Sequence, residues 1–325
     1  MANAIPVLDL PAWRSADAAE RARIAAELDT ALRETGMFLL RGHDVPAELT
    51  NRIRTEGRAF FDLPADQKKK YSVRRPYDNG YRGLGELVVG DVYGEESAPA
   101  DLHEAYHTGP QHRTGDPKFD SLYYPDNRWP AELPSLQATN TAYTDHMVRV
   151  AHEMLEVFAE VLGIPDEFFT AQAGRATWTQ NVNWYPSLNA VGSVAEGQMR
   201  VGPHSDFGTL SLLDRQEGVG GLEVFNDRDG WFAPPFEDGT LAVILGDLMN
   251  LWTDGRWRAL RHRVLAPASS VPEEELVSLV FFFEADPDAQ VNPLAAPAGG
   301  GAGMSPVMAG ESILEKVGIS LTLAE

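Results

Sequence analysis

The sequence predicts a mainly β fold with flanking helices. Its second half, from Arg175, is a succession of short apolar or alternating runs separated by turn residues: "QNVNWYP", "GTLSLLDRQ", "GLEVFNDRDGWF", "GTLAVILGD", "RALRHRVLAP" and "ELVSLVFFFEA". Short strands at such even spacing build sandwiches, barrels or jelly rolls. The first half instead carries helical periodicity around one short strand-like run.

Taken in order, the first helical pattern is "SADAAERARIAAELDTALRETG". Ile24, Leu28 and Leu32 recur at helical spacing, Ser15 stands where an N-cap belongs, and Gly36 supplies a C-terminal stop. "MFLLRG" reads as a short buried strand, and a second helix is expected from about Pro46 to Phe61. The segment from Pro76 to Pro134 is rich in Gly, Pro and Tyr and reads as long loops with short strands. "SLQATNTAYTDHMVRVAHEMLEVFAEVLG" is the longest helical pattern, with Tyr143, Met147, Val150, Met154, Phe158 and Val161 on one face. In the strand-rich half, "NDRDG" and "TDG" read as hairpin connections. "APAGGGAG" reads as a flexible linker and "AGESILEKVG" as a closing helix.

Composition narrows the chemistry. The chain has no cysteine, which removes disulfides, thiolate metal sites, iron–sulfur clusters and cysteine nucleophiles; a metal would need His, Asp or Glu. A formal charge of −21, from 27 basic and 48 acidic residues, repels phosphate backbones and argues against nucleic acid as a partner. No run has the apolar length of a membrane span, and the N-terminus lacks the apolar centre of a secretory signal. A cytoplasmic protein with no membrane partner is expected.

Of the eight histidines, His146 and His152 fall in the long helical pattern and read as packing or solvated residues. His43 sits at a strand exit, and His112 carries no signal. "HEAYH" (His103 to His107) matches H-E-x-x-H, which on a helix presents two imidazoles to zinc with the glutamate, here Glu104, as general base. Thr-Gly-Pro follows at once, so this zinc metallopeptidase alternative lacks its helix. His204 and Asp206 form H-x-D in "GPHSDFGTLSLL". Two apart at the start of a period-2 segment, they share one face of a strand. Two ligands do not hold a catalytic metal, and His262, on a later expected strand, is the best third. Two imidazoles and one carboxylate on one side of a metal make the facial triad of non-haem Fe(II) oxygenases.

At these residues the chain resembles the isopenicillin N synthase-like Fe(II)/2-oxoglutarate-dependent oxygenases. The matching stretches keep that family's order: "IPVLDL", "GMFLLRGHDVP", "NRWP", "NWYP", "HSDFGTLSLL", "GGLEVF" with "DGW", "GDLMNLWTDGRWRALRHRV" and "SPVMAGESILEKV". The resemblance implies a double-stranded β-helix core, a jelly roll of cupin-like form. It implies His204, Asp206 and His262 as the catalytic iron ligands, and it moves "HEAYH" to a loop before the barrel. Asn183, Tyr185 and Ser278, with Leu276, fall at the cosubstrate positions. The chain then divides into an N-terminal helical and strand region (1–120), a linking loop with the long helix (121–174), the Fe(II)-binding core (175–290) and a C-terminal linker and helix (291–325), together one compact unit. The implied activity is oxidation of a small organic or amino-acid-derived metabolite by hydroxylation, desaturation or cyclisation, with dioxygen and 2-oxoglutarate.

One position departs from the pattern. The strand after the third ligand usually carries Arg-x-Ser, whose arginine forks onto the distal carboxylate of 2-oxoglutarate. Here Ser278 is in place, but Leu276 stands at the arginine position. Residues 276, 278, 280 and 282 share one strand face, so Leu276 points where the arginine would. Glu275 has the other face and the wrong sign, and Arg261 and Arg263 flank His262 and should point away. Leaving a buried carboxylate unpaired costs about 3–5 kcal/mol. Three explanations stand open: another cation, with Arg200 and Arg82 as candidates; a different 2-oxo acid with an apolar tail; or an oxo-acid-independent oxidase of the isopenicillin N synthase type. Tyr81, Arg82 and Trp184 are candidates for the substrate-pocket wall.

Overall fold

A computed structural model describes residues 5–86, 99–218, 221–266 and 269–317. Two sheets form its centre. The larger joins, in spatial order, β1 (Val7–Asp9), β2 (Met37–Arg41), β10 (Leu241–Leu245), β7 (Leu210–Asp214), β12 (Leu276–Phe283), β5 (Trp178–Tyr185), β4 (Glu104–Thr108) and β3 (Gly80–Arg82). The smaller joins β6 (Val201–His204), β11 (His262–Val264), β8 (Leu222–Asn226) and β9 (Gly230–Phe232). A further pair, β13 (Gln290–Val291) and β14 (Val307–Met308), lies apart. The β1–β2 pair is parallel and the rest are antiparallel, so sequence-distant strands become neighbours as a jelly roll requires.

Strand alternation explains why this sandwich has two cores. On the large sheet, Met37, Leu39, Leu213, Ala242 and Ile244 point inward and pack with Leu222 and Val224 of the small sheet. The intervening residues, among them Phe38, Leu40, Leu212, Val243, Leu279 and Phe281, point outward and are buried in the helical layer. That is why the "LVSLVFFF" run of β12 is almost wholly apolar: both of its faces are covered.

The helices follow their sequence signals with local exceptions. Ser15 does not cap the first long helix. It ends an extra short one, α1 (Leu10–Ser15), with its Oγ on the Pro11 carbonyl. Asp17 caps α2 (Ala18–Glu34) instead, accepting from the Glu20 amide, while Pro11 suits the first turn of α1, where its missing N–H has no partner to lose. Gly36, just past α2, takes the left-handed φ of +81° that makes it the stop. The second helix, α3 (Ala47–Phe61), and the short α4 (Ala65–Lys68) lead to α5 (Pro117–Tyr123). The longest helix, α6 (Leu136–Leu162), buries Tyr143, Met147, Val150, Met154 and Phe158 as its spacing predicts, with Val161 partly buried.

Three further expectations need correction. "TDG" is no hairpin: it follows a helix, α7 (Asp247–Trp252), hidden in "GDLMNLW", and Asp254 and Gly255 turn the chain with positive φ. "APAGGGAG" is no flexible linker, because Gly300 donates to the Thr253 carbonyl and a Cβ on Gly299 would meet the Leu294 carbonyl oxygen at 1.8 Å. Glycine is needed there for backbone contact, not for freedom. "HEAYH" is not a helix, and only His103 precedes a strand; Glu104 to His107 lie on β4, paired with β3 and β5. The closing helix, α8 (Ala309–Lys316), lies where expected. No described helix is long and apolar enough to cross a membrane.

Candidate active site

Strand pairing creates the site. β6 and β11 run antiparallel with His204 directly opposite His262, which holds the two imidazoles 4.1 Å apart between centroids. Asp206 follows β6 in a tight connection whose carbonyl accepts from the Asp247 amide at the start of α7. Gly246 permits that approach: a Cβ there would stand 2.3 Å from the Gly208 carbonyl oxygen. One Asp206 oxygen, Oδ1, lies 3.6 Å from His204 Nε2 and 3.7 Å from His262 Nε2. Among the described residues these three side chains form the cluster able to hold a metal ion, with ligand atoms all within 4.8 Å of one another.

The surroundings suit a cation. Each histidine donates its Nδ1 proton to a carbonyl, His204 to Gly202 at 2.9 Å and His262 to Leu260 at 3.1 Å, which leaves each Nε2 lone pair facing the cluster. Burial, reinforced by the neighbouring His262, pushes the His204 pKa down to about 4, so the imidazole is neutral and able to ligate. Ser211 Oγ donates to Asp206 Oδ2 at 2.5 Å and orients the carboxylate. Two neutral imidazoles and one buried carboxylate, open on one side, fit Fe(II).

These residues face a cavity of about 470 Å³. Its apolar lining includes Val201, Leu213, Leu222, Ile244, Val264 and Val280. Tyr185 also lines it, and its hydroxyl lies 3.3 Å from Ser278 Oγ. Leu276 sits opposite Tyr185 in the ladder and Ser278 opposite Asn183, so the expected parity holds and β12 offers no cation. Arg261 and Arg263 do point away, over the Trp231 ring, and Glu275 pairs with Arg58 on the other face.

Its polar lining includes Asn181, His107, Arg82 and Glu284, and Asn181 Oδ1, His107 Nε2, Arg82 Nε and Glu284 Oε2 are buried without a hydrogen-bond partner among the described residues. Such groups are costly to leave unmatched, so they mark where a polar ligand belongs. Burial, with a smaller contribution from Asp206, raises the Glu284 pKa to about 8. His103 also lines the cavity, with Nδ1 donating to the Arg200 carbonyl at 3.0 Å.

Of the expected wall residues, Arg82 is on the cavity. Tyr81 is turned to Glu104, and Trp184 stacks on Phe61. Glu104 itself is held by Lys68 at 2.6 Å, outside any metal cluster. Of "YDNGYRGLGELVVGDVYG", residues 87–94 lie outside the described residues, while Tyr77, Asp78 and Asn79 line the cavity. His103, His107, Asn181 and Glu284 were missed as site residues. Parity could have found two of them, since Asn181 shares the Asn183 face and Glu284 continues the 276–282 series.

Comparison with known proteins agrees with this geometry. Residues 5–132 match the model described as non-haem dioxygenase in morphine synthesis N-terminal, and residues 180–285 match the 2OG-Fe(II) oxygenase superfamily. The chain is 62% identical over 316 residues to validamycin A dioxygenase of Streptomyces hygroscopicus subsp. limoneus, covering 97% of this chain and 86% of that one. Its fold matches a 2OG-Fe(II) oxygenase family protein from Caulobacter crescentus with a TM-score of 0.81 at 23% identity, over 97% and 98% of the two chains. It also matches JOX2 in complex with 2OG, Fe and JA with a TM-score of 0.72 at 26% identity, over 89% and 77%. The chain therefore belongs to the 2OG-Fe(II) oxygenase superfamily, as a 2-oxoglutarate-dependent non-haem iron dioxygenase of a small metabolite.

Proposed function

We propose that this enzyme oxidises validamycin A or a close structural relative of it, with Fe(II) held by His204, Asp206 and His262. The carrying observation is the polar lining of the cavity. Asn181, His107, Arg82 and Glu284 offer several unmatched hydrogen-bonding atoms beside the three-residue cluster, the environment that a ligand dense in hydroxyl or amine groups would satisfy. The 62% identity to validamycin A dioxygenase supports the same reading.

When bound, Fe(II) supplies the redox chemistry that couples decarboxylation of 2-oxoglutarate to oxidation of the substrate. The chain's own residues do the rest. Carbonyl-fixed His204 and His262 and Ser211-fixed Asp206 present a rigid donor set. Tyr185 and Ser278 offer hydroxyl donors to the distal carboxylate of 2-oxoglutarate, and Asn183 supports Tyr185. Val201, Leu213, Val264 and Val280 keep water from the cosubstrate, while the polar lining orients the substrate bond to be oxidised. Dioxygen and the metabolite are the partners, the whole chain acts as one catalytic unit, and the enzyme works in the cytoplasm.

The test is incubation with Fe(II), 2-oxoglutarate, dioxygen and validamycin A. Succinate released in step with an oxidised product, seen by mass spectrometry, is the expected result. Succinate release that validamycin A does not stimulate would sink the substrate assignment.

A further inference from the structure

The geometry points to Arg200 as the residue that carries the cosubstrate-anchoring charge missing from β12. This rests on the reading that the distal carboxylate of 2-oxoglutarate sits at Tyr185 and Ser278. Arg200 directly precedes β6, and its side chain is fully buried. Its guanidinium carbon lies 5.7 Å from the Tyr185 ring centroid. Nη1 meets Glu274 Oε1 at 3.2 Å and Nη2 donates to the Glu274 carbonyl at 3.2 Å. Glu274 lies two residues before Leu276, so the guanidinium occupies the mouth of β12 beside the place an arginine at 276 would fill.

Other basic side chains around this end of β12 are committed elsewhere. Arg54 pairs with Asp214 and the Val277 carbonyl on the opposite face, Arg58 pairs with Glu275, and Arg263 pairs with Glu223. Arg82 lines the cavity from β3, three strands across the sheet from β12, with its Nη2 on the Pro76 carbonyl. A buried guanidinium needs an anion, and in this structure Glu274 provides one. The Glu274 side chain, 14% exposed, is the anion that an incoming carboxylate would displace. The cosubstrate thus exchanges with Glu274 on Arg200, and the anchoring cation comes from the strand that leads into His204 rather than from the strand after His262. Discrimination among oxo acids then resides in Arg200.

The experiment is anaerobic titration of the Fe(II) enzyme, following the metal-to-ligand absorption band, with 2-oxoglutarate and with 2-oxovalerate. The two share the chelating end, and the second has an apolar tail. The native enzyme should prefer 2-oxoglutarate by about 100-fold or more. Arg200→Met should erase that preference, weakening 2-oxoglutarate by about 100-fold while leaving 2-oxovalerate within about threefold. Arg200→Lys should recover part of it, and Glu274→Gln should tighten 2-oxoglutarate. Equal weakening of both acids in Arg200→Met, or no change in either, would overturn the assignment. If Arg200→Met does not fold, Glu274→Gln decides: unchanged or weaker 2-oxoglutarate binding counts against the exchange. Tyr185→Phe, titrated in parallel, tests the carboxylate seat by itself; unchanged affinity there overturns the seat and leaves Arg200 to be judged on its own variant.

Discussion

At the scale of single residues, the metal-holding cluster depends on atoms that touch no ligand. Ser211 fixes the Asp206 carboxylate, and the Gly202 and Leu260 carbonyls fix the imidazole rings. Second partners of this kind typically govern metal affinity by about 10- to 100-fold. We expect Ser211→Ala to weaken Fe(II) binding by about that factor without unfolding the chain, and His204→Ala to abolish both iron binding and turnover. Iron stoichiometry after dialysis, read beside succinate release, checks both; full occupancy in His204→Ala would refute the ligand set. His204 and Asp206 were legible because their spacing is local. The partnership with His262 was legible as a candidate only, since the opposed pairing of β6 and β11 joins residues 58 positions apart. His103 and His107 were invisible as site residues because no spacing in "HEAYH" reveals which strand β4 will pair with.

At the scale of elements, β12 shows how one strand serves two surroundings. Val277, Leu279, Phe281 and Phe283 pack into the helical layer, while Ser278, Val280 and Phe282 face the barrel interior. The helix α3 closes on the adjoining β5 through Gly57. A Cβ at that glycine would lie 2.6 Å from Val182 Cγ1, so the helix rests directly on the sheet. Gly57→Val should cost about 1–3 kcal/mol by overpacking, measured as a lower urea midpoint at unchanged slope. A midpoint within error of the native protein would show that α3 can lift off at no cost. β4 makes the complementary point. Its sequence carries a zinc-site motif, yet pairing with β3 and β5 extends the backbone and sends Glu104 to Lys68. Secondary-structure context decides whether a motif has chemistry.

At the scale of the whole molecule, the site holds buried histidines that the fold keeps neutral. Burial lowers His103 to about 4 and His107 well below its ordinary value, and His43 and His152 shift the same way. An unfolded chain takes up protons at these positions below about pH 6.5, whereas the folded one does not. Stability therefore falls as pH drops from 6.5 toward 4, by about 1.4 kcal/mol per unit for each fully buried histidine. Glu284 acts in the opposite direction, since its raised pKa stabilises the fold at low pH and loses that contribution as pH rises toward 8. With His103 and His107 set against one carboxyl, the net slope below pH 6.5 remains positive. Urea denaturation at pH 5 and pH 7 should show the lower midpoint at pH 5, and Glu284→Gln should steepen the difference. Equal midpoints would mean that the histidines are not held neutral.

By itself the sequence determined the periodicities, the absence of thiol chemistry, the H-x-D pair and the leucine in place of an arginine. Each of these is set within a few residues, by helical or strand repeat and by side-chain chemistry. Only the tertiary structure decided which strands became neighbours, because register is fixed by packing two sheets face to face and not by local propensity. That pairing set His262 against His204, turned His103, His107 and Glu284 toward one cavity, and set Arg200 beside Tyr185 near Leu276.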